Sequence, residues 1–187
     1  MTKRIVVGIT GASGAPYAKR LVEVLAQAGV SVELIMTKTG EQVFNYECET
    51  DAAWPPEGVT RHANSNLFSP LASGSYRVNG MVVIPCSLNT LGLIASGTGD
   101  NLLARVAQVT LKELRPLIVV PREMPLNIIH LENMLRLARA GGVIMPAAPG
   151  FYHRPAMVSD LIDHVVGKVL DLLGLEHNLY RRWEGMH

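Results

Sequence analysis

Apolar residues follow two rhythms along this chain. Short, unbroken runs rich in valine and isoleucine occur at Arg4 to Ile9, Val30 to Met36, Met81 to Ile84, Leu117 to Val120 and Val143 to Met145. Runs of that length and branching read as strands covered on both faces. Between them, apolar residues recur at three- and four-residue spacing. Tyr17, Leu21, Val24, Leu25 and Ala28 follow the first run, and Phe44 lies with Glu41 and Glu47 after the second. Leu102, Leu103, Val106, Val109 and Leu114 share a face ahead of Pro116, with Asp100 or Asn101 placed to cap. Ile128, Leu131, Met134, Leu135 and Ala138 share another before Gly141-Gly142, and Val158 to Leu173 makes a last long stretch. These spacings predict helices, several of them stopped by glycine.

Strands alternating with helices require crossover connections, so the pattern predicts an α/β, doubly wound, mainly parallel sheet of about five or six strands. The expected architecture is a Rossmann- or flavodoxin-like three-layer α/β/α sandwich. Two stretches escape the pattern. Glu49 to Ala63, acidic and carrying Trp54-Pro55-Pro56, reads as an irregular excursion, and Gly92 to Gly99 as a glycine-punctuated segment. A length of 187 residues fits a single domain, 1–187, with 174–187 as a C-terminal tail.

Composition narrows the function. With 48% apolar and 18% charged residues, the chain has the material for a core and lacks the signature of disorder. Seventeen Lys+Arg against sixteen Asp+Glu leave a net charge of +1, which argues against electrostatic coating of nucleic acid. No apolar run reaches the length of a membrane span, and Met1-Thr2-Lys3-Arg4 leads straight into a strand, so a cytoplasmic location is expected. Cys48 and Cys86 do not pair by spacing, and the six histidines form no ligand cluster, so no metal is expected.

In a doubly wound sheet, ligands sit beyond the carboxyl ends of the strands. The turn after the first strand is Gly8-x-x-Gly11-x-x-Gly14, which is neither the dinucleotide fingerprint nor the P-loop. It suits close approach of an anion, with Ser13 and a helix N-terminus as donors, or a plain tight turn. Ser87, Asn89 and Thr90 after the third run provide hydroxyls and an amide for a ligand, or an ordinary helix cap. Arg105 and Lys112, seven residues apart, share a helical face and can grip a phosphate or form a solvated stripe. Arg122-Glu123 is framed by Pro121 and Pro125, and Tyr152 lies in Pro149-Gly150-Phe151-Tyr152-His153-Arg154-Pro155.

Together, Gly11-Ala12-Ser13-Gly14, Pro85-Cys86-Ser87-Leu88-Asn89-Thr90, Leu111-Lys112-Glu113-x-Arg115-Pro116, Arg122-Glu123-Met124-Pro125-Leu126 and Phe151-Tyr152-His153-Arg154-Pro155 closely resemble the UbiX family of flavin prenyltransferases. The resemblance runs from about Arg4 to Trp183. It implies a transferase that joins a dimethylallyl group, from dimethylallyl phosphate, to reduced FMN, giving the prenylated flavin used by UbiD-type decarboxylases. The implied route needs no metal and passes through phosphate departure and an allylic cation.

By the same resemblance, Gly11, Ala12, Ser13, Thr37, Ser87, Leu88, Asn89, Thr90 and Arg122 hold FMN, while Arg105, Lys112, Tyr152 and Lys168 grip the prenyl phosphate. Ser13, Glu47, Lys112, Glu123 and Trp183 carry the chemistry. Glu47 and Glu123 would manage protons or the phosphate, Ser13 would assist that relay, and Trp183 would lend its π face to the allylic cation. Glu49 is an alternative to Glu47 as the functional carboxylate. The resemblance further implies a dodecamer with sites at subunit junctions. Two rival expectations are a flavin-dependent decarboxylase of peptidyl-cysteine type and a noncatalytic FMN carrier or decarboxylase subunit.

Overall fold

All five apolar runs become strands, and a sixth, which carries no such run, joins them at the edge. In the computed structural model, residues 3–48 and 54–185 are described. β1 (Arg4–Ile9) is followed by α1 (Ala15–Gln27), β2 (Ser31–Met36), α2 (Lys38–Glu47) and β3 (Val59–Ala63). A 3-10 turn at Pro70–Ala72 precedes β4 (Gly80–Cys86), α3 (Leu88–Ser96), α4 (Leu102–Lys112) and β5 (Leu117–Pro121). The chain then forms α5 (Ile128–Arg139), β6 (Val143–Ile144) and α6 (Val158–Leu172). The strands make one six-stranded sheet in the order β3-β2-β1-β4-β5-β6, with every pairing parallel. The expected doubly wound α/β/α fold is therefore present.

The sheet is covered on both faces because its strands alternate buried side chains to either side. On one face Leu21 and Leu25 of α1, Phe44 of α2, and Val165 and Val169 of α6 pack on Val7, Val82 and Ile118. On the other, Leu91 of α3, Leu103 and Val106 of α4, and Leu137 of α5 pack on Val6, Val83 and Val119. No helix among the described residues is long and apolar enough to cross a membrane.

The local pattern misses in four places. Val59–Ala63 is a strand rather than part of an irregular excursion: Val32 pairs with Val59 and Met36 with Ala63. It is the sheet's outer strand and mostly exposed, so it needs no apolar run. Residues 49–53, Glu49 among them, lie outside the described residues. The glycine-punctuated stretch is largely helical as α3, and Gly92 faces α5, where an added Cβ would come within 3.4 Å of Asn133. Leu114 leaves the apolar face of α4: the helix ends at Lys112, and Leu114 is 93% exposed with φ 54°. Pro116 disfavours helical backbone in the residue before it, and the chain departs ahead of that point. Lastly, Ile128, Leu131 and Leu135 of α5 are exposed, and Leu137 is the helix's buried anchor.

Candidate functional site at the strand-order switch

β1 and β4 are sheet neighbours, but their crossover helices leave to opposite faces, α1 to one and α3 to the other. That divergence opens a crevice beyond the strand ends, the usual ligand position in such sheets. A buried threonine ties its walls together. The Thr10 hydroxyl donates to the Pro85 carbonyl at 2.8 Å and accepts from the Ser87 amide at 2.7 Å. The turn after β1 lies close on the adjoining chain: a Cβ on Gly11 would fall 2.6 Å from Thr39 Cγ2. Gly14 adopts φ 112°, a left-handed conformation suited to glycine.

The N-terminus of α1 is already filled. Oε2 of Glu47, at the end of α2, accepts from the Gly14 and Ala15 amides at 2.8 and 2.9 Å, and its carboxylate is also hydrogen-bonded by the Ser13 side chain. Burial favours the protonated acid, but these bonds and the nearby Arg122 charge outweigh it and hold the Glu47 carboxyl below the usual carboxylate range. A carboxylate thus occupies this helix start, and a phosphate placed there would meet like charge. Arg122 completes the group by donating from Nε to the Ser13 carbonyl at 2.9 Å. Ser13, Glu47 and Arg122, from three separate segments, stand together.

Across the crevice, Ser87 caps α3, its Oγ accepting from the Thr90 amide at 3.3 Å and donating to the Thr90 hydroxyl at 3.1 Å. The helix-cap and ligand readings of this loop are compatible, since a capped helix start still offers its first amides to an anion. Leu88 and Thr90 are buried and Asn89 is exposed. Thr37 plays the same part for α2, accepting from the Gly40 amide at 2.9 Å. Glu123 follows Arg122 in the exposed segment after β5, one carboxylate oxygen accepting from the Met124 amide.

Tyr152, Lys168 and Trp183 gather at a second cluster, between the loop after β6, α6 and the tail. A cavity of about 410 Å³ is lined by Met145, Pro146, Tyr152, His164 and Lys168. A second, of about 380 Å³, is lined by Tyr152, His153, Arg154, Arg182 and Trp183. Trp183 meets Tyr152 edge-on, with centroids 5.8 Å apart. The tail runs back along α6: a Cβ on Gly167 would lie 2.5 Å from the Tyr180 ring, and Asp171 accepts from Tyr180 Oη at 2.7 Å and from Arg182 Nη2 at 2.7 Å. Lys168 Nζ also lies 3.6 Å from Asp171.

Arg105 and Lys112 do not join either cluster. They sit on α4, on the sheet face opposite α1 and α6, against the segment around residues 72–76. Arg105 Nε donates to the Ala72 carbonyl at 3.2 Å, Lys112 pairs with Glu113, and Arg115 donates to the Gly74 carbonyl at 2.7 Å. Both cysteines behave as core residues. Cys86 is fully buried with its thiol pushed well up by burial, and burial raises Cys48 to about 11. Sequence reasoning passed over His164, whose only signal was a polar side chain inside the apolar run of α6.

The chain is similar to known proteins in sequence and in fold. The Flavoprotein family matches residues 1–172. A relative from Halalkalibacterium halodurans named flavin prenyltransferase UbiX is 52% identical, over 95% of this chain and 91% of its own. The crystal structure of AnUbiX (PadA1) in complex with FMN and dimethylallyl pyrophosphate superposes with a TM-score of 0.96 at 41% identity, covering 100% of both chains. A dodecameric FMN-dependent UbiX-like decarboxylase from Escherichia coli O157:H7 gives 0.92 at 44% identity, covering 97% of this chain and 100% of that one.

Proposed function

The chain belongs to the Flavoprotein family and, within it, to the UbiX flavin prenyltransferases, and on that premise we propose that it transfers a dimethylallyl group from dimethylallyl phosphate to reduced FMN. The prenylated FMN passes to a UbiD-type decarboxylase. The reading takes residues 1–187 as one domain, with the tail from 174 folded along α6 to bring Trp183 to Tyr152.

The observation that carries it is the meeting of Ser13, Glu47 and Arg122 at the mouth of the β1–β4 crevice, facing a wall of small polar donors. That donor set fits a flavin mononucleotide. With the start of α1 taken by Glu47, the FMN phosphate falls to Thr37, Ser87, Asn89 and Thr90, which offer hydroxyls, an amide and helix-start N–H groups. Gly11, Ala12 and Ser13 form a turn of small residues beside β1 against which a planar ring can lie, and Leu88 and Arg122 border it. When bound, reduced FMN supplies the nucleophilic nitrogen that takes up the five-carbon group.

The remaining residues act on the donor. Tyr152 and Lys168 bind its phosphate, and Arg105 and Lys112 reach it from a neighbouring copy of the chain. Fixed cations stabilise charge that builds on a departing phosphate, which needs no metal. Trp183 presents a π face to the allylic cation. The ionised Glu47 carboxylate holds the Ser13 hydroxyl in place for a proton relay, with Glu123, next to Arg122 in the chain, as the second carboxylate. The decarboxylase alternative asks for a catalytic histidine, and His62 is committed elsewhere: Nε2 to Glu33 at 2.6 Å and Nδ1 to Ser69 at 3.2 Å.

Anaerobic incubation of the protein with reduced FMN and either dimethylallyl phosphate or the pyrophosphate tests this reading. The flavin recovered should gain the mass of one dimethylallyl unit with at least one donor. Unmodified flavin with both donors overturns it.

A further inference from the structure

His164 is 7% exposed, and its two ring nitrogens have distinct partners. The Gly150 amide donates to Nδ1 at 3.2 Å, and Tyr152 Oη lies 3.2 Å from Nε2. A backbone N–H can only donate, so Nδ1 is an unprotonated acceptor, and the neutral ring carries its hydrogen on Nε2. Nε2–H therefore donates to Tyr152 Oη. The tyrosine oxygen accepts there, which directs its own hydrogen elsewhere, toward the cavities that Tyr152 lines.

Packing holds the ring in this orientation. His153 stacks on His164 with centroids 4.9 Å apart and planes 7° from parallel, while Tyr180 lies against it at 4.8 Å. Both His153 ring nitrogens are buried and have no hydrogen-bond partner, so that ring serves as a stacking plate rather than a competing partner. Burial, with the His153 and Lys168 charges adding to it, pushes the His164 imidazole below the ordinary histidine value. A second proton would also set Nδ1–H against the Gly150 N–H. Among the described residues, the charged and titratable groups facing the ring, His153 and Tyr152 from the loop, Tyr180 from the tail and Lys168 from α6 itself, include no carboxylate that would favour the cation.

We propose that His164 is a positioning residue that fixes Tyr152 as an obligate hydrogen-bond donor to the phosphate of the prenyl donor. The proposal rests on the prenyl-phosphate role of Tyr152 given above. Without His164, the tyrosine hydroxyl rotates among alternatives, and a donor set for an anion loses one fixed member. His164 acts through Tyr152. Its effect falls on donor binding and leaves FMN binding alone.

The test measures dimethylallyl phosphate binding by calorimetry to the assembled protein loaded with oxidised FMN, where no transfer runs, and in parallel KM and kcat with reduced FMN. His164→Phe keeps a stacked ring but removes both hydrogen bonds. His164→Asn keeps an acceptor for Gly150 but drops the donor to Tyr152, and His164→Gln restores a donor at the Nε2 position. Expected is donor Kd and KM raised about tenfold in the Phe and Asn variants, recovery to within about threefold in Gln, and unchanged FMN affinity. Adding Tyr152→Phe to either weakened variant should cause no further loss beyond Tyr152→Phe alone.

Wild-type donor affinity in both the Phe and Asn variants overturns the proposal, as does full additivity with Tyr152→Phe. So does a wild-type protein with no measurable donor affinity. If the Phe variant fails to assemble, the Asn and Gln pair decides. Should the wild type bind donor in a His164-dependent way yet leave the flavin unmodified, the transferase reading falls and the His164 assignment stands.

Discussion

At the scale of single residues, Glu47 joins fold to chemistry. Its carboxylate sits on the first amides of α1, where Gly14 supplies no capping side chain. A carboxylate at a helix start is worth about 1 kcal/mol. Glu47→Gln should therefore lose about 1 kcal/mol of stability by thermal unfolding at pH 7, and turnover should drop by roughly a hundredfold if the Ser13–Glu47 pair moves a proton. The sign with pH follows from the depressed pKa. Below the unfolded carboxylate value the unfolded chain takes up the proton first, so the stabilisation is complete above the usual range and is lost as pH falls through the folded value. The Gln variant should lack that segment of acid dependence. Equal stability of the two proteins at pH 7 would rule the capping role out. Sequence alone left Glu47 and Glu49 as alternatives, because their two-residue separation matters only once the end of α2 is placed against α1. The described geometry supplies this for Glu47.

At the scale of elements, the tail is clamped to α6 by Asp171. Its carboxylate accepts from Arg182 and from Tyr180, and is paired with His177, whose side chain is 3% exposed. The Arg182 bond, helped by Tyr180 and His177 against a burial penalty, holds the Asp171 carboxyl far below its usual range. Arg182 is half exposed and screened by solvent, so Tyr180 and His177 carry most of the anchoring. Asp171→Asn should release the tail. Trypsin should then cut after Arg181 or Arg182 about tenfold faster, with the fragments read by mass spectrometry. An unchanged cleavage rate would mean the tail is held by Tyr180 packing at Gly167 alone. The elements themselves were unevenly legible. Strands buried on both faces and amphipathic helices announce themselves through periodic apolar residues. β3 does not, since an outer strand reading Val-Thr-Arg-His-Ala gains its order from pairing with β2. Nor does α3, where a glycine that lowers helix propensity is the one that lets α5 approach.

At the scale of the molecule, the residues that the resemblance groups around one prenyl phosphate are divided between the two faces of one sheet. Tyr152 and Lys168 belong with α6, whereas Arg105 and Lys112 belong with α4 on the far side. A tertiary arrangement of this kind has no periodic trace, so the shared helical face of Arg105 and Lys112 was legible while the distance from α6 was not. The exposed apolar residues Ile128, Leu131 and Leu135 of α5 make a surface that a second copy can cover, and the UbiX-like decarboxylase of 44% identity is a dodecamer. If sites are completed between copies, two defects on different chains complement each other. Lys112→Ala and Glu47→Gln should each be nearly inactive as pure assemblies. Co-expressed and purified as mixed assemblies through two different affinity tags, they should recover about a quarter of wild-type turnover, since random mixing pairs an intact Glu47 with an intact neighbouring Lys112 in about one site in four. Were both residues to act from the same chain, mixing would restore nothing, because every chain would carry one defect. Flavin mass after incubation with dimethylallyl phosphate reads the recovery directly, and FMN content normalises it, as neither substitution touches the donor wall of Thr37 and Ser87 to Thr90.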